Sequence, residues 1–443
     1  MTRALVRAAL ALLTMALLLV ALVWWLNTRD EEPLASGAAD TEQIARGAYL
    51  ARAGNCMGCH TAQGGVAYAG GRGVPTPFGT IYAPNLTPDA AHGIGAWSPA
   101  EFWRALHNGR ARDGRLLYPA FPYPNYTRIT RPDSDALFAY LRSLPPSSRA
   151  NDAHTLRFPF DRQAALAVWR ALYFRPAQPG NDASRSAEWN RGAYLVEGLG
   201  HCNACHAGRN ALGATTSPLD LAGGLIPVQN WYAPSLASKL EAGVADWSDA
   251  HVVELLKTGV SARGAVMGPM GEVVSGSTQH LNDADLRAMA VYLKALPPPA
   301  EEAAILAALA ASAASAAAAA SAASAPAAGL VSRSAAGAKV YDQHCAACHG
   351  DEGEGVPGIY PALAASRAVT LPTPANLVHI VLEGGFPPVT AGNPRPYGMP
   401  PFATVLSNDE VAQLLTHIRG SWGNEAGAVS AFDVTKYRAS GAR

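Results

Sequence analysis

The sequence predicts an all-α protein, with one long apolar helix at the N-terminus followed by three small helical domains in tandem. Three observations carry that reading. The cysteines fall into three pairs, Cys56/Cys59, Cys202/Cys205 and Cys345/Cys348, each followed at once by a histidine: His60, His206 and His349. The residues around these motifs repeat, as expected of an array of similar units. Elsewhere apolar residues recur at helical spacing, and Val, Ile and Thr do not alternate as they would in strands.

Residues 1–30 form the first element. Ala8 to Leu26 is an uncharged apolar run, preceded by Arg3 and Arg7 and carrying Trp24 and Trp25 near its end. Its length suits a bilayer-spanning helix, and the arginines ahead of it favour a cytoplasmic N-terminus. The length favours a retained anchor. A cleaved signal, with Ser36-Gly37-Ala38 as its small-residue site, is the alternative. Either way the rest of the chain lies outside the cytoplasm.

Residues 41–150 form the first domain. Arg46-Gly47-Ala48-Tyr49-Leu50 reads as a helix leading into the motif, and Tyr82-Ala83-Pro84-Asn85-Leu86 as a loop after it. Ser98 caps a helix over Glu101 to Asn108, and Asp135 to Leu144 closes the unit before Pro145-Pro146. A connection over 151–184 includes a helix from Arg162 to Tyr173.

The second domain, 185–298, repeats this order with Arg191-Gly192-Ala193-Tyr194-Leu195, Tyr232-Ala233-Pro234-Ser235-Leu236, a Ser248-capped helix over His251 to Thr258, and a closing helix over Asp283 to Leu296. Residues 299–333 are mostly Ala and Ser. They read as a linker, helical in part over Glu301 to Ala320, that lets the third domain move. The third domain, 334–424, opens on Gly337-Ala338-Lys339-Val340-Tyr341 and closes on Asn408 to Arg419, leaving 425–443 as a C-terminal tail.

A lone C-x-x-C suits a redox dithiol or half a zinc site. Three C-x-x-C-H units with no cysteine left over suit three covalent haems c instead: two thioethers to the vinyl edge and an adjacent imidazole for the iron. His60, His206 and His349 are the proximal ligands on this reading. The other ring nitrogen of such a histidine donates to a carbonyl or carboxylate, and the carbonyls near Pro84, Pro234 and Pro361 are in position to accept.

Few methionines are available as sixth ligands. Met399, in the proline-stiffened loop Tyr397 to Phe402, is the choice for the third domain. Met267 and Met270 both precede the second domain's closing helix and Met270 is preferred; Met289 lies within that helix and reads as core. The first domain has only Met57, inside its attachment motif, and Phe121 stands where a sulfur ligand would be expected. Its iron is therefore five-coordinate, water-bound, or ligated by another side chain, with His107 and His92 as candidates ahead of Tyr118 and Tyr123.

The formal net charge is zero, which argues against a nucleic-acid binder. No glycine-rich nucleotide fingerprint occurs, so no substrate chemistry is expected beyond the haems. The chain resembles the triheme cytochrome c subunit of bacterial membrane-bound dehydrogenases, of the alcohol, gluconate or sorbitol type, and the cytochrome partners of molybdenum-dependent aldehyde, nicotinate and isoquinoline oxidoreductases. The similarity covers Thr41 to Asn424 and rests on the three C-x-x-C-H motifs, Gly268-Pro269-Met270 with Glu272-Val273-Val274 and Ser277-Thr278-Gln279, and the Tyr397-to-Phe402 loop.

That resemblance implies three tandem cytochrome c-type domains, and it carries the axial ligands onto His60, His206, His349, Met270 and Met399. It implies a non-catalytic subunit at the periplasmic face of the cell membrane. Such a subunit takes electrons from a quinoprotein, flavoprotein or molybdenum catalytic subunit and passes them to ubiquinone or a terminal oxidase. Phe121 and the alanine-serine linker depart from the family pattern. Two other functions fit the residues: a peroxidase-like enzyme using an open first haem, and an oxidase-linked carrier with no dehydrogenase partner.

Overall fold

The computed structural model describes residues 2–28, 40–177, 180–215, 219–300, 302 and 335–438. The chain divides into two compact units, Met1–Gly180 with Asn210–Ala214, and Asn181–Arg209 with Thr215–Arg443.

The first unit begins with α1 (Thr2–Thr28), apolar and exposed along nearly its whole length. Asp40 caps α2 (Thr41–Ala53), accepting from the Gln43 amide, and the single turn α3 (Cys56–Cys59) comes next. The hairpin β1 (Gly73–Thr76) and β2 (Gly79–Tyr82) precedes α4 (Pro99–Asn108), whose Ser98 and Glu101 form a reciprocal capping box. A short α5 (Tyr123–Tyr126) leads to α6 (Arg131–Ser143). α6 starts ahead of Asp135 because Thr130 caps it and Pro132 fits a first turn, where no amide donor is needed. β3 (Thr155–Leu156) adds to β2, and α7 (Gln163–Tyr173) ends the unit.

In the second unit α8 (Ala187–Ala193) continues into a wider turn to Leu199, and α9 (Asn203–His206) carries the second motif. β4 (Gly224–Leu225) pairs with β5 (Tyr232–Ala233). α10 (Asp249–Thr258) is capped by Ser248, as the sequence predicts. Beyond it come the two-residue strands β6 (Val260–Ser261) and β7 (Gly264–Ala265), α11 (Pro269–Gly276) and α12 (Asp283–Lys294). The third motif comes after helix Ala335–His344, with later helices at Ala375–Glu383 and Asn408–Arg419. Helices dominate and the strands stay short.

One crossing recurs three times. The helix before each motif meets the closing helix backbone to backbone at a glycine. A Cβ on Gly47 would lie 1.9 Å from the Ala136 carbonyl oxygen, on Gly192 2.0 Å from that of Ala288, and on Gly337 2.1 Å from that of Gln413. Only glycine allows that approach. Leu50, Leu195 and Tyr341, each 2% exposed or less, fill the space beside the crossings. At the first two crossings an arginine one residue before the glycine reaches a buried aspartate: Arg46 to Asp133 at 2.6 Å and Arg191 to Asp285 at 2.7 Å.

One expectation needs correcting. The stretch after Asn424, read as a tail, contains helix Ala431–Arg438, whose Val434 and Tyr437 are buried in the third domain's core. The linker lies almost wholly outside the described residues, and the third domain contacts the second through residues distant from it in the chain. Asn376 donates to the Tyr232 carbonyl and accepts from the Tyr232 amide, each at 2.8 Å. Arg367 bonds the Gly243 carbonyl and Asp246, and Trp231 stacks on His379 with ring centroids 4.9 Å apart. These residues are far apart in the chain, so no local sequence pattern announced the packing. The small-residue site at Ser36 to Ala38 also lies outside the described residues.

Candidate cofactor-attachment sites

Each motif is folded into the same turn. The histidine amide donates to the carbonyl of the first cysteine at 3.0 Å in all three, His60 to Cys56, His206 to Cys202 and His349 to Cys345. Asn55 and His201, just before the first two motifs, take left-handed backbone angles that end the preceding helix and turn the chain. No two of the six cysteines are joined as a disulfide. Burial pushes the Cys56 and Cys202 thiols up to about 12 and Cys345 to about 11. A redox dithiol needs the reverse, a depressed thiol that supplies thiolate at neutral pH.

The three imidazoles are held alike. Nδ1 of His60 lies 2.8 Å from the Pro84 carbonyl oxygen, that of His206 2.7 Å from Pro234, and that of His349 3.0 Å from Pro361. These are the carbonyls expected from the sequence. Burial lowers the pKa of each ring, with the carbonyl contact opposing it in part, so the rings are neutral near pH 7. A neutral ring that donates from Nδ1 presents a lone pair at Nε2, the state a metal ligand requires.

Three glycines that sequence reasoning missed position the acceptors. Gly70, Gly223 and Gly355 donate their amides to the carbonyls of His60, His206 and His349, at 2.8, 2.9 and 2.8 Å. All three have positive φ, and a Cβ on any of them would come within 2.5–2.6 Å of the strand bearing the prolyl carbonyl. The signal available was a glycine-containing triplet between each motif and its prolyl carbonyl, Ala69-Gly70-Gly71, Ala222-Gly223-Gly224 and Gly353-Glu354-Gly355.

At the residues read as sixth ligands the units diverge. Met399 packs partly buried against the third domain's core, and its backbone pairs both ways with Gly385, at 2.8 and 3.0 Å. Met270 sits half-buried in the first turn of α11, after Gly268, which closely approaches the Trp231 ring. Met267 directs its methyl group toward Gly385 of the third domain, 3.6 Å from where a Cβ there would lie. Met289 is buried in α12, as expected of a core residue.

In the first domain Phe121 packs on Tyr126, with centroids 5.3 Å apart, and Met57 lies within the attachment turn. His107 is 1% exposed and stacks on Trp103. His92 is half-exposed, with Nδ1 3.3 Å from Asp89. Of the two, only His107 is in the interior. Tyr118 packs edge-on against His154, and Tyr123 is fully buried against Phe174.

The donor set suits haem c. Paired thiols sit one turn apart, the adjacent imidazole has its outer nitrogen fixed, and the Trp247 indole N–H is buried with no acceptor among the described residues, a donor that a carboxylate-bearing group would satisfy.

The comparisons agree. The cytochrome c family model matches residues 44–145 and 334–422. The cytochrome c subunit of an alcohol dehydrogenase (quinone) from Gluconacetobacter polyoxogenes is 40% identical over 91% of this chain and 86% of its own length. The gluconate 2-dehydrogenase cytochrome c subunit of Pantoea cypripedii is 37% identical over 93% of each chain. The fructose dehydrogenase cytochrome subunit of Gluconobacter japonicus is 34% identical over 91% of this chain and 84% of its own length.

Proposed function

Because the chain belongs to the family of dehydrogenase cytochrome c subunits, we propose that it is a triheme relay, moving electrons from a periplasmic catalytic subunit to ubiquinone or a terminal oxidase. The observation that carries the count of three is the recurrence of one imidazole–prolyl carbonyl geometry behind all three C-x-x-C-H turns. It includes the second motif, which lies between the two stretches matched by the family model.

On this reading Cys56, Cys59, Cys202, Cys205, Cys345 and Cys348 form the thioethers, and His60, His206 and His349 are the proximal ligands. Met270 and Met399 are the distal ligands of the second and third sites. Haem c, when bound, supplies one-electron redox chemistry, and methionine ligation raises its potential. The protein's part is to hold each imidazole neutral and oriented and to fix the distal donors beside prolines, Met270 after Pro269 in the first turn of α11 and Met399 in the loop before Pro400. At the first site Phe121 offers no donor, and His107 is the interior candidate. α1 is the retained anchor that keeps the relay at the periplasmic face.

The test is a haem-to-protein ratio by pyridine haemochrome, with low-temperature EPR of the oxidised chain. Three haems, two of them with His/Met low-spin signals, are expected. A ratio of two overturns the count. A first haem that is high-spin and binds cyanide shows an open site, and one that is low-spin and inert shows a side-chain ligand.

A further inference from the structure

α7 breaks the rule for a surface helix. Its outward stripe is Ala164, Val168 and Leu172, spaced four apart, with Val168 49% and Leu172 61% exposed. A helix on a soluble domain keeps its outer face polar, and one that is apolar all round is normally buried. Trp169 and Arg170 of α7 are turned to the protein, and the exposed Gln163 is hydrogen-bonded to it. Gln163 bonds the Leu116 backbone, Trp169 donates from Nε1 to the Leu212 carbonyl at 2.9 Å, and Arg170 is 4% exposed against Tyr123 and Phe174. Nothing polar remains to face water along that stripe.

The neighbour of α7 says what covers it. Asn27, one residue from the end of α1, is 8% exposed. It donates to the Ala167 carbonyl at 3.2 Å and accepts from Arg170 Nε at 2.9 Å. A helix of 27 residues is about 40 Å long, enough to cross a hydrocarbon core of about 30 Å and emerge at the far headgroups. The end of α1 thus fixes the depth of α7 at the outer membrane–water boundary. Trp24 and Trp25, exposed at that same end, mark the level at which aromatic residues settle.

We infer that α7 is a second membrane contact: an interfacial helix lying in the outer headgroup region, with Ala164, Val168 and Leu172 against lipid and Arg170 tying it to the anchor. Amphipathic helices of this kind seat their apolar face roughly 5–10 Å into the headgroup–acyl boundary. The first domain is then held to the bilayer at two points and cannot swivel freely about a single tether. The inference rests on the reading of α1 as a retained anchor.

The experiment is alkylation by a membrane-impermeant maleimide of single-cysteine additions in the full-length chain, reconstituted in phosphatidylcholine–phosphatidylglycerol vesicles. The positions are Val168→Cys and Leu172→Cys on α7, Leu17→Cys within α1, and Val66→Cys on an exposed loop of the first domain. The unsubstituted chain is the blank. Modification at 168 and 172 is expected to be severalfold slower than at 66, with 17 essentially unreactive. If 168 and 172 react as fast as 66 while 17 stays protected, the interfacial helix is wrong and the anchor stands. If they slow only when a dehydrogenase catalytic subunit is added, a protein covers the stripe and the inference also fails. Rapid modification at 17 overturns the anchor and the inference with it.

Discussion

The first and second domains are built alike as far as the end of their middle helix and differ after it. α4 and α10 are both capped by serine, at Ser98 and Ser248, and both end on a left-handed glycine, Gly109 and Gly259. Each leads into a tight reversal, Arg110 bridging to Leu116 and Val260 pairing with Ala265. Then the chains part. The first domain runs through Phe121 into α5, and the second through Gly268-Pro269-Met270 into α11. The half of each domain before the split positions thiols and imidazole, where covalent chemistry fixes spacing. The half after it carries Met270 in the second domain and Phe121, which has no donor atom, at the corresponding loop of the first.

The largest expected effect tests the shared half. Gly192→Val drives a branched side chain into the Ala288 carbonyl, and Gly47→Val does the same at Ala136. Each should cost about 4 kcal/mol or more and unfold its own domain. Denaturant titration monitored by Soret absorbance and tryptophan fluorescence would show an early transition. An unchanged midpoint would mean that the helices do not cross at the glycine.

Next comes an exchange across the split. Met270→Phe imposes the first domain's loop chemistry on the second. The potential of that site should fall on the order of 0.1–0.2 V, a fraction of the ~0.8 V spanned by axial ligands. Phe121→Met should raise the first site's potential. Potentiometric titration reads both, and a Met270→Phe trace that overlays the parent returns Met267 to contention.

A smaller difference lies in the helix-crossing ion pairs. Asp285→Ala strands Arg191, whose side chain is 33% exposed, whereas Asp133→Ala strands Arg46, already 57% exposed. The costs should be about 2 and about 1 kcal/mol, the second nearer the value of a surface pair. Thermal unfolding of the two variants ranks them, and equal shifts would show that burial of the arginine is irrelevant. The third domain has Ala336 at this position and does without.

The smallest effect concerns the packing of the second domain against the third. Burial works against ionisation of Asp246, but the Arg367 hydrogen bond and charge outweigh it and hold the carboxyl below its ordinary range. A depressed folded-state pKa gives stability that is present above the unfolded value of about 3.9 and is lost as pH falls through the folded one. With both groups partly exposed, the contribution is under about 1 kcal/mol. Arg367→Gln should reduce, with Arg263 still paired to Asp246, the acid-side slope in stability below about pH 4, read by thermal unfolding across a pH series.

The legible part of the sequence was local. The attachment turns, both serine caps and the three prolyl carbonyls are set by residues close in the chain, whose spacing is itself the signal. The helix Ala431–Arg438 and the Asn376–Tyr232 clamp were not legible, because contacts distant in the chain stabilise them, and the hairpin at Gly73 to Tyr82 was not because its strands are only four residues each. Gly70, Gly223 and Gly355 fall between these cases. Their composition was visible, but the need for positive φ arises only when a second strand passes within van der Waals distance.

The acceptors for the three imidazoles are main-chain carbonyls, and this bears on how such a protein can change over generations. A side-chain partner can be deleted by one codon change, whereas a peptide oxygen is present whatever residue bears it. Inheritance can therefore disturb the histidine side only through a backbone shift large enough to threaten folding. On the reading proposed above, substitutions at the sixth-ligand positions, Phe121 among them, would leave that backbone in place and vary the electronics. A lineage built this way can retune its sites one at a time without putting attachment at risk.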